Sequence, residues 1–324
     1  MSVRSVELIY FGKFPARGDF VRSSQHGSVL QVLDQWVVKA ISLLDQQEQS
    51  WRTHYQQMRE VHFVFCGTRT PLAIVGTLSA SRDSSQRYFP FISAVVVDVP
   101  QPMALIQYAP VRADALWQQS LQLNNQVIQS FDPQAALQLL QRAVLSEQSD
   151  DQPNYHAYLM HRTLGQVSQQ IQIDLTQSSL AHCLIALGLL LQPVIAQGVN
   201  QLSKTLLFPL PNVRDQAVLL ATFWVDLMSG FFRRHATEPA VILTWHEERW
   251  WLLFGFQGAS AKMLSGILAG QMSDDHWVQV CEAAWVDDYI AQDAGLKRLS
   301  GYLVDEHLSL LEARDIFKEV FLGQ

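Results

Sequence analysis

The chain has 324 residues, of which 48% are hydrophobic and only 16% charged, with a formal net charge of −7. That length and apolar content support a large buried core and exclude a disordered chain. The lysines and arginines are scattered, which excludes the basic stripe that nucleic-acid binding requires.

No secretory leader is expected, because the opening residues run into a short apolar stretch that ends at Lys13. Residues 6–11 read as a first strand, 12–18 as a Gly- and Pro-containing loop, and 28–46 as a helix with Val29, Leu30, Leu33, Trp36, Val37, Ile41 and Leu44 on one face. Residues 61–66, 72–79 and 91–99 are short Val-, Ile- and Phe-rich runs, too closely spaced for crossover helices, so antiparallel neighbours are expected.

From 102 to 200 the chain turns Gln- and Leu-rich and reads as helical, with Asp132 as an N-cap and Pro133 as first helical residue. Asp150, Asp151 and Pro153 interrupt that pattern and predict an exposed connection. Residues 180–199 approach membrane length but contain His182, Gln192, Pro193 and Gln197 without basic flanks, so a buried helix is the reading and no membrane span is expected.

Strands return at 206–210 and, after a helix over 213–234, at 240–245 and 249–254, with Glu247 and Glu248 in the hairpin turn. The last helix opens with a Ser309/Glu312 capping box and carries Leu310, Ala313, Phe317, Val320 and Phe321 on one face. The fold class read from this order is α/β of the α+β type: a central mixed or antiparallel sheet flanked by helices, with an extra helical region. Residues 1–270 form one composite unit in which 102–200 is an enlarged helical insertion, and 271–324 is a C-terminal helical extension.

The chemistry-bearing motifs are incomplete. His246 and Glu247 begin like a zinc-protease helix, but Trp250 stands where the second histidine belongs; His156, His161 and His182 form no metal-ligand spacing. Neither a dinucleotide fingerprint nor a phosphate loop occurs, and residues 255–260 are not a nucleophile elbow. Cys66, Cys183 and Cys281 lack CxxC spacing, which fits inert thiols, buried in the case of Cys66 and Cys183, in a reducing, cytoplasmic compartment. No metal or cofactor is expected.

Two loops combine opposite charges, aromatics and a proline beside a strand. One carries Lys13, Arg17, Asp19 and Phe20; the other carries Asp83, Arg87 and Phe89. Either these groups hold the loops together, or they form a recognition surface, since arginine and aromatic side chains are the usual anchors of protein interfaces. If the loops meet at one sheet edge, Arg17 can pair with Asp83 and Asp19 with Arg87.

The run Tyr10, Phe11, Gly12, Lys13, Phe14, Pro15, Ala16, Arg17, Gly18, Asp19, Phe20, Val21 resembles the signature of the TagF family, also called ImpM, of type VI secretion accessory proteins. Residues 83–91 resemble that family's second signature, an Asp, a Gly-Arg pair and an aromatic-Pro ending. Here Gln86 replaces the expected glycine, so a differently shaped loop is expected if that glycine serves a positive-φ turn. Phe223, Trp224, the run from Val241 to Trp245 and residues 253–256 are similar to the family's carboxy-terminal half.

The resemblance implies a non-enzymatic cytoplasmic regulator that restrains a type VI secretion system after translation by contacting its forkhead-associated scaffold protein. A hydrolase with an unrecognised site and a structural subunit of the apparatus stand as alternatives, and homo-oligomerisation stays open.

Overall fold

The computed structural model describes residues 4–45, 51–147, 152–171, 179–198 and 202–323. The amino-terminal part supplies β1 (Arg4–Val6), β2 (Leu8–Gly12), β3 (Val21–Arg22), α1 (Gly27–Asp45), α2 (Trp51–Gln57), β4 (Val61–Cys66), β5 (Leu72–Ser79) and β6 (Phe91–Asp98). A helical stretch follows, with α3 (Pro102–Gln107), α4 (Ala109–Gln129), α5 (Pro133–Arg142), β7 (Leu145–Glu147), α6 (Gln152–His161), α7 (Leu164–Ile171) and α8 (Leu180–Gln197). The remainder comprises β8 (Thr205–Pro209), α9 (Arg214–Ser229), β9 (Ala240–His246), β10 (Arg249–Gly255), α10 (Ala261–Ala269), β11 (Trp277–Gln279), α11 (Val286–Gln292), α12 (Ala294–Leu303) and α13 (Leu310–Leu322).

Nine strands form one sheet in the order β11-β8-β10-β9-β4-β5-β6-β2-β3. All neighbours are antiparallel except β11 and β8, so the sheet is mixed. The two halves of the chain join where β4 pairs with β9, from Val61 opposite Thr244 to Phe65 opposite Ala240. Central strands of this kind must bury both faces, and every residue of β4 is buried. One core packs α1, α2 and α10 on one face through Leu33, Trp36, Val37 and Leu264. The other face carries α4, α8, α9 and α13 through Trp117, Leu184, Trp224 and Phe317.

The expected antiparallel order of β4, β5 and β6 is observed, as is the shared sheet. Residues 6–11 do not make one strand: β1 leaves the main sheet to pair with β7, and the main ladder begins only at Leu8. The closing segment is not helical throughout, because β11 adds an edge strand beside β8. Asp132 caps α5 by accepting from the backbone N–H of Gln134, and Ser309 and Glu312 form the capping box of α13. Val320 departs from the expected buried face of α13 and is 45% exposed. Glu247 and Glu248 both take positive φ, 49° and 64°, which is the backbone of a tight hairpin turn.

The run over 180–199 is helical from Leu180 to Gln197 and passes the length and hydropathy test for a membrane span, yet 56% of it is buried inside the fold. A core helix explains that apolarity. Asp150 and Asp151 of the expected connection lie outside the described residues, and Pro153 falls in the first turn of α6.

Candidate functional site

The two motif loops meet at the β2–β3 edge of the sheet. Gly12 ends β2 with φ of 139°, and a Cβ there would stand 2.2 Å from the Pro90 carbonyl oxygen. Only glycine lets the two chains approach so closely. That approach carries Lys13 inward, 6% exposed, where its ammonium donates to Asp83 Oδ2 at 2.8 Å.

Asp83 is fully buried and organises its own loop. Its Oδ1 accepts from the backbone N–H groups of Ser85 and Arg87 at 2.9 and 3.0 Å, and its Oδ2 accepts from Arg87 Nε at 2.7 Å. Burial pushes the Asp83 carboxyl up, but the hydrogen bonds from Lys13 and Arg87 outweigh it and hold the group well below the usual carboxylate range. Arg87 then reaches across to donate to the Gly18 carbonyl at 2.8 Å, and the Ser84 N–H donates to the Arg17 carbonyl at 3.0 Å. The two loops are thereby fixed to each other by backbone and side chain alike.

Aromatic rings complete the cluster. Phe20 stacks on Phe11 at 5.6 Å and meets the edge of Phe89 at 4.8 Å, while the Lys13 ammonium lies 4.7 Å from the Phe20 centroid. Phe89 is buried, whereas Phe20 is 46% exposed and the Arg87 side chain 62% exposed. Asp19 is exposed and Arg17 half-buried.

The expected charge pairs are corrected by this geometry. Asp83 pairs with Lys13 and Arg87, and neither Arg17 nor Asp19 takes part in an ion pair among the described residues. Arg17 sits in the turn closed by its own N–H to the Phe14 carbonyl, so its backbone, not its guanidinium, contacts the second loop. Gln86 carries φ of 64°, so the loop keeps a left-handed residue where glycine is expected, and glutamine bears the strain. The motif thus divides into a buried half that builds the loops, Lys13, Asp83 and Phe89, and an outward half, Phe20, Arg87, Asp19 and, half-buried, Arg17.

Two further polar clusters escape sequence reading. Fully buried Asp226 in α9 accepts from Lys318 Nζ at 2.6 Å, Gln107 Nε2 at 2.8 Å and Tyr155 OH at 3.1 Å, with Arg314 Nη1 3.6 Å away. The signal was a lone acid inside the apolar run Phe223, Trp224, Val225, Asp226, Leu227, Met228, which demands a partner. His182, which has no metal-ligand spacing in the sequence, has polar neighbours in the fold. The Ser179 N–H donates to His182 Nδ1 at 3.2 Å, which makes Nδ1 the unprotonated nitrogen. The Ser179 hydroxyl donates to the same atom at 2.7 Å, and the Nε2–H donates to Asp287 at 2.9 Å. This is the capping box of α8 extended by one carboxylate. Among the described residues, no group of three His, Cys, Asp or Glu side chains is placed to hold a metal.

Residues 9–146 match the sequence profile of the TagF N-terminal domain, a type VI secretion system-associated family. The match runs from within β2 to within β7 and includes α1 to α5, so both motif loops and the first part of the helical stretch lie inside it, while Phe223, Trp224 and the run from Val241 to Trp245 lie outside it. Among solved structures, PA0076 from Pseudomonas aeruginosa PAO1 is similar at 19% identity, with 47% of this chain and 76% of that chain covered and a TM-score of 0.36. No curated protein matches the chain.

Proposed function

With a type VI secretion-associated TagF N-terminal domain in the chain as premise, we propose that the protein is a non-enzymatic accessory regulator of a type VI secretion system, which represses it after translation by binding the system's forkhead-associated scaffold protein. The single observation that carries the contact surface is the exposure of Phe20 and Arg87 above a buried Lys13–Asp83 base. An exposed aromatic ring and an exposed guanidinium on rigid loops are the anchors protein interfaces favour. In this reading the chain works in the cytoplasm, where its three free thiols stay reduced.

The test is titration calorimetry of the chain against the scaffold protein of the same secretion system. Phe20→Ala, at a half-exposed ring, and Arg87→Lys, which keeps a cation beside buried Asp83, are expected to keep the melting temperature within a few degrees and to weaken binding by roughly tenfold or more. Normal binding by both variants would remove the loop surface from the mechanism.

One observation favours a second reading, a hydrolase: the aligned Ser179, His182 and Asp287. Such a chain of contacts can pass a proton from a serine hydroxyl to an imidazole. Incubation with a fluorophosphonate probe decides it, because a hydrolase would be labelled at Ser179 and lose the label in Ser179→Ala.

A further inference from the structure

β3 is the terminal strand of the nine-stranded sheet and is held on one side only, by β2. Ser23 N–H donates to the Tyr10 carbonyl and the Tyr10 N–H donates to the Ser23 hydroxyl, so Tyr10 and Ser23 face each other at a hydrogen-bonded position of the ladder. By the antiparallel alternation, Arg22 turns its backbone N–H and carbonyl away from β2, and neither meets a partner among the described residues. This outward N–H and carbonyl on a two-residue edge strand can pair with another strand.

Two cavities flank this edge, one on each face of the sheet, and both are walled by Ser23 and Ser24. The first, about 450 Å³, lies on the face of Leu8 and Tyr10 and is walled on its far side by Leu140 and by Val144, which is 64% exposed. The second, about 360 Å³, lies on the face of Phe11 and Arg22 and is walled by Leu30, Gln31 and Asp34 of α1. A strand added beside β3 would send successive side chains to opposite faces, hence alternately into the two cavities.

The lining states the chemistry of the occupant. The first cavity is lined by polar and apolar surface in about equal measure, its apolar wall made by Leu140, Ala143 and Val144. In the second, Asp34 accepts no hydrogen bond among the described residues; burial pushes its carboxyl up and the charge of Arg22 draws it partly back. A carboxylate short of partners is completed by a cation.

We infer that the open edge of β3 is a strand-addition site, where an extended segment of a protein partner pairs with the Arg22 backbone, sets a Lys or Arg side chain against Asp34, and puts its apolar neighbours beside Leu140 and Val144. The inference deepens the binding reading proposed above and rests on it, since β3 continues directly from exposed Phe20. Main-chain pairing supplies affinity in this mode and the two cavities supply specificity.

The experiment selects random displayed peptides, about twelve residues long so as to span a strand and its flanks, on the full chain. Binders are then measured by fluorescence anisotropy on the wild type, Arg22→Pro and Asp34→Lys, each checked by circular dichroism. Arg22→Pro removes an outward N–H that serves nothing inside the fold; Asp34→Lys leaves the strand intact and replaces the one carboxylate of the second cavity, which Arg22 also lines, by a cation. Selected peptides should alternate basic and apolar residues, bind Arg22→Pro about tenfold more weakly or worse, and bind Asp34→Lys several-fold more weakly, roughly fivefold.

No recovered binder, binders without basic residues, or binders indifferent to both variants would overturn the inference. The library contains no scaffold protein, so failure of the scaffold to bind the wild type would remove the functional reading and leave the strand-addition result standing. A scaffold that binds the wild type and both variants equally would do the reverse.

Discussion

Asp83 at the sheet edge and Asp226 in the helical layer each hold a fully buried carboxylate against one lysine and one arginine. At Asp83 the remaining acceptor capacity goes to two backbone N–H groups of its own loop, Ser85 and Arg87. At Asp226 it goes to Gln107 of α3 and Tyr155 of α6, while the cations come from α13. The first arrangement shapes a loop and leaves the Arg87 side chain 62% exposed; the second ties four helices together and leaves Arg314 and Lys318 only 19% and 17% exposed. A buried carboxylate must be satisfied in both places, but only the edge site leaves a charged partner facing solvent. The difference separates a charge cluster that can meet another protein from one that only holds the fold.

That comparison is broken most severely by removing the buried lysines. Lys13→Ala leaves the Asp83 carboxylate with one exposed cation, and a loss of about 3–5 kcal/mol is expected from orphaning half of a buried pair. Lys318→Ala should cost less, about 2–3 kcal/mol, because Tyr155, Gln107 and Arg314 still address Asp226. Urea denaturation of the two variants measures both, and a larger loss for Lys318→Ala would reverse the ranking of the two sites.

Acid separates the sites next. The Asp83 carboxyl is held below its unfolded value, which lies near 3.9. Its contribution to stability is therefore complete above about pH 4 and is lost as pH falls toward the folded value. Wild-type urea midpoints should decline below about pH 4, and Asp83→Asn, weaker at neutral pH, should decline less steeply. The gap between the two proteins is expected to narrow as the pH falls; parallel curves would show that Asp83 does not carry the acid limb.

The unequal visibility of these features in the sequence has a physical cause. β4 and β5 were legible to the residue because short runs rich in Val, Ile, Leu and Phe are bounded by turn-rich segments around Gly67 and from Ser81 onward. The caps at Asp132 and Ser309 were legible because a cap is written within three residues. The insertion of β9 beside β4 was not, since nothing local in residues 240–246 names residues 61–65 as the neighbour. The meeting of the two motif loops could be expected from their places beside antiparallel strands. Which cation reaches Asp83 could not: the choice of Lys13, 70 positions from Asp83, over Arg17 depends on the close approach of Gly12 to Pro90 where Gly12 pairs with Phe91. Asp226 gathers partners 71, 92 and 119 residues distant, so its sequence shows only that a partner must exist.

The smallest expected effect lies at Gln86, in the turn that the Asp83 cluster closes. Its side chain is exposed and its N–H donates to the Asp83 carbonyl at 3.0 Å, so the side chain contributes little packing while the backbone is held at φ of 64°. For a residue with a Cβ that conformation costs about 1 kcal/mol relative to glycine, and the greater freedom of glycine in the unfolded chain takes part of this back. Gln86→Gly is therefore expected to stabilise the protein by about 0.5 kcal/mol without altering the Asp83 contacts. Gln86→Val, β-branched in the same left-handed position, should instead lose about 1–2 kcal/mol. Differential scanning calorimetry on the pair reads the sign directly: a destabilised glycine variant would mean that the glutamine side chain itself holds the loop, and the edge site would then depend on more than its buried carboxylate.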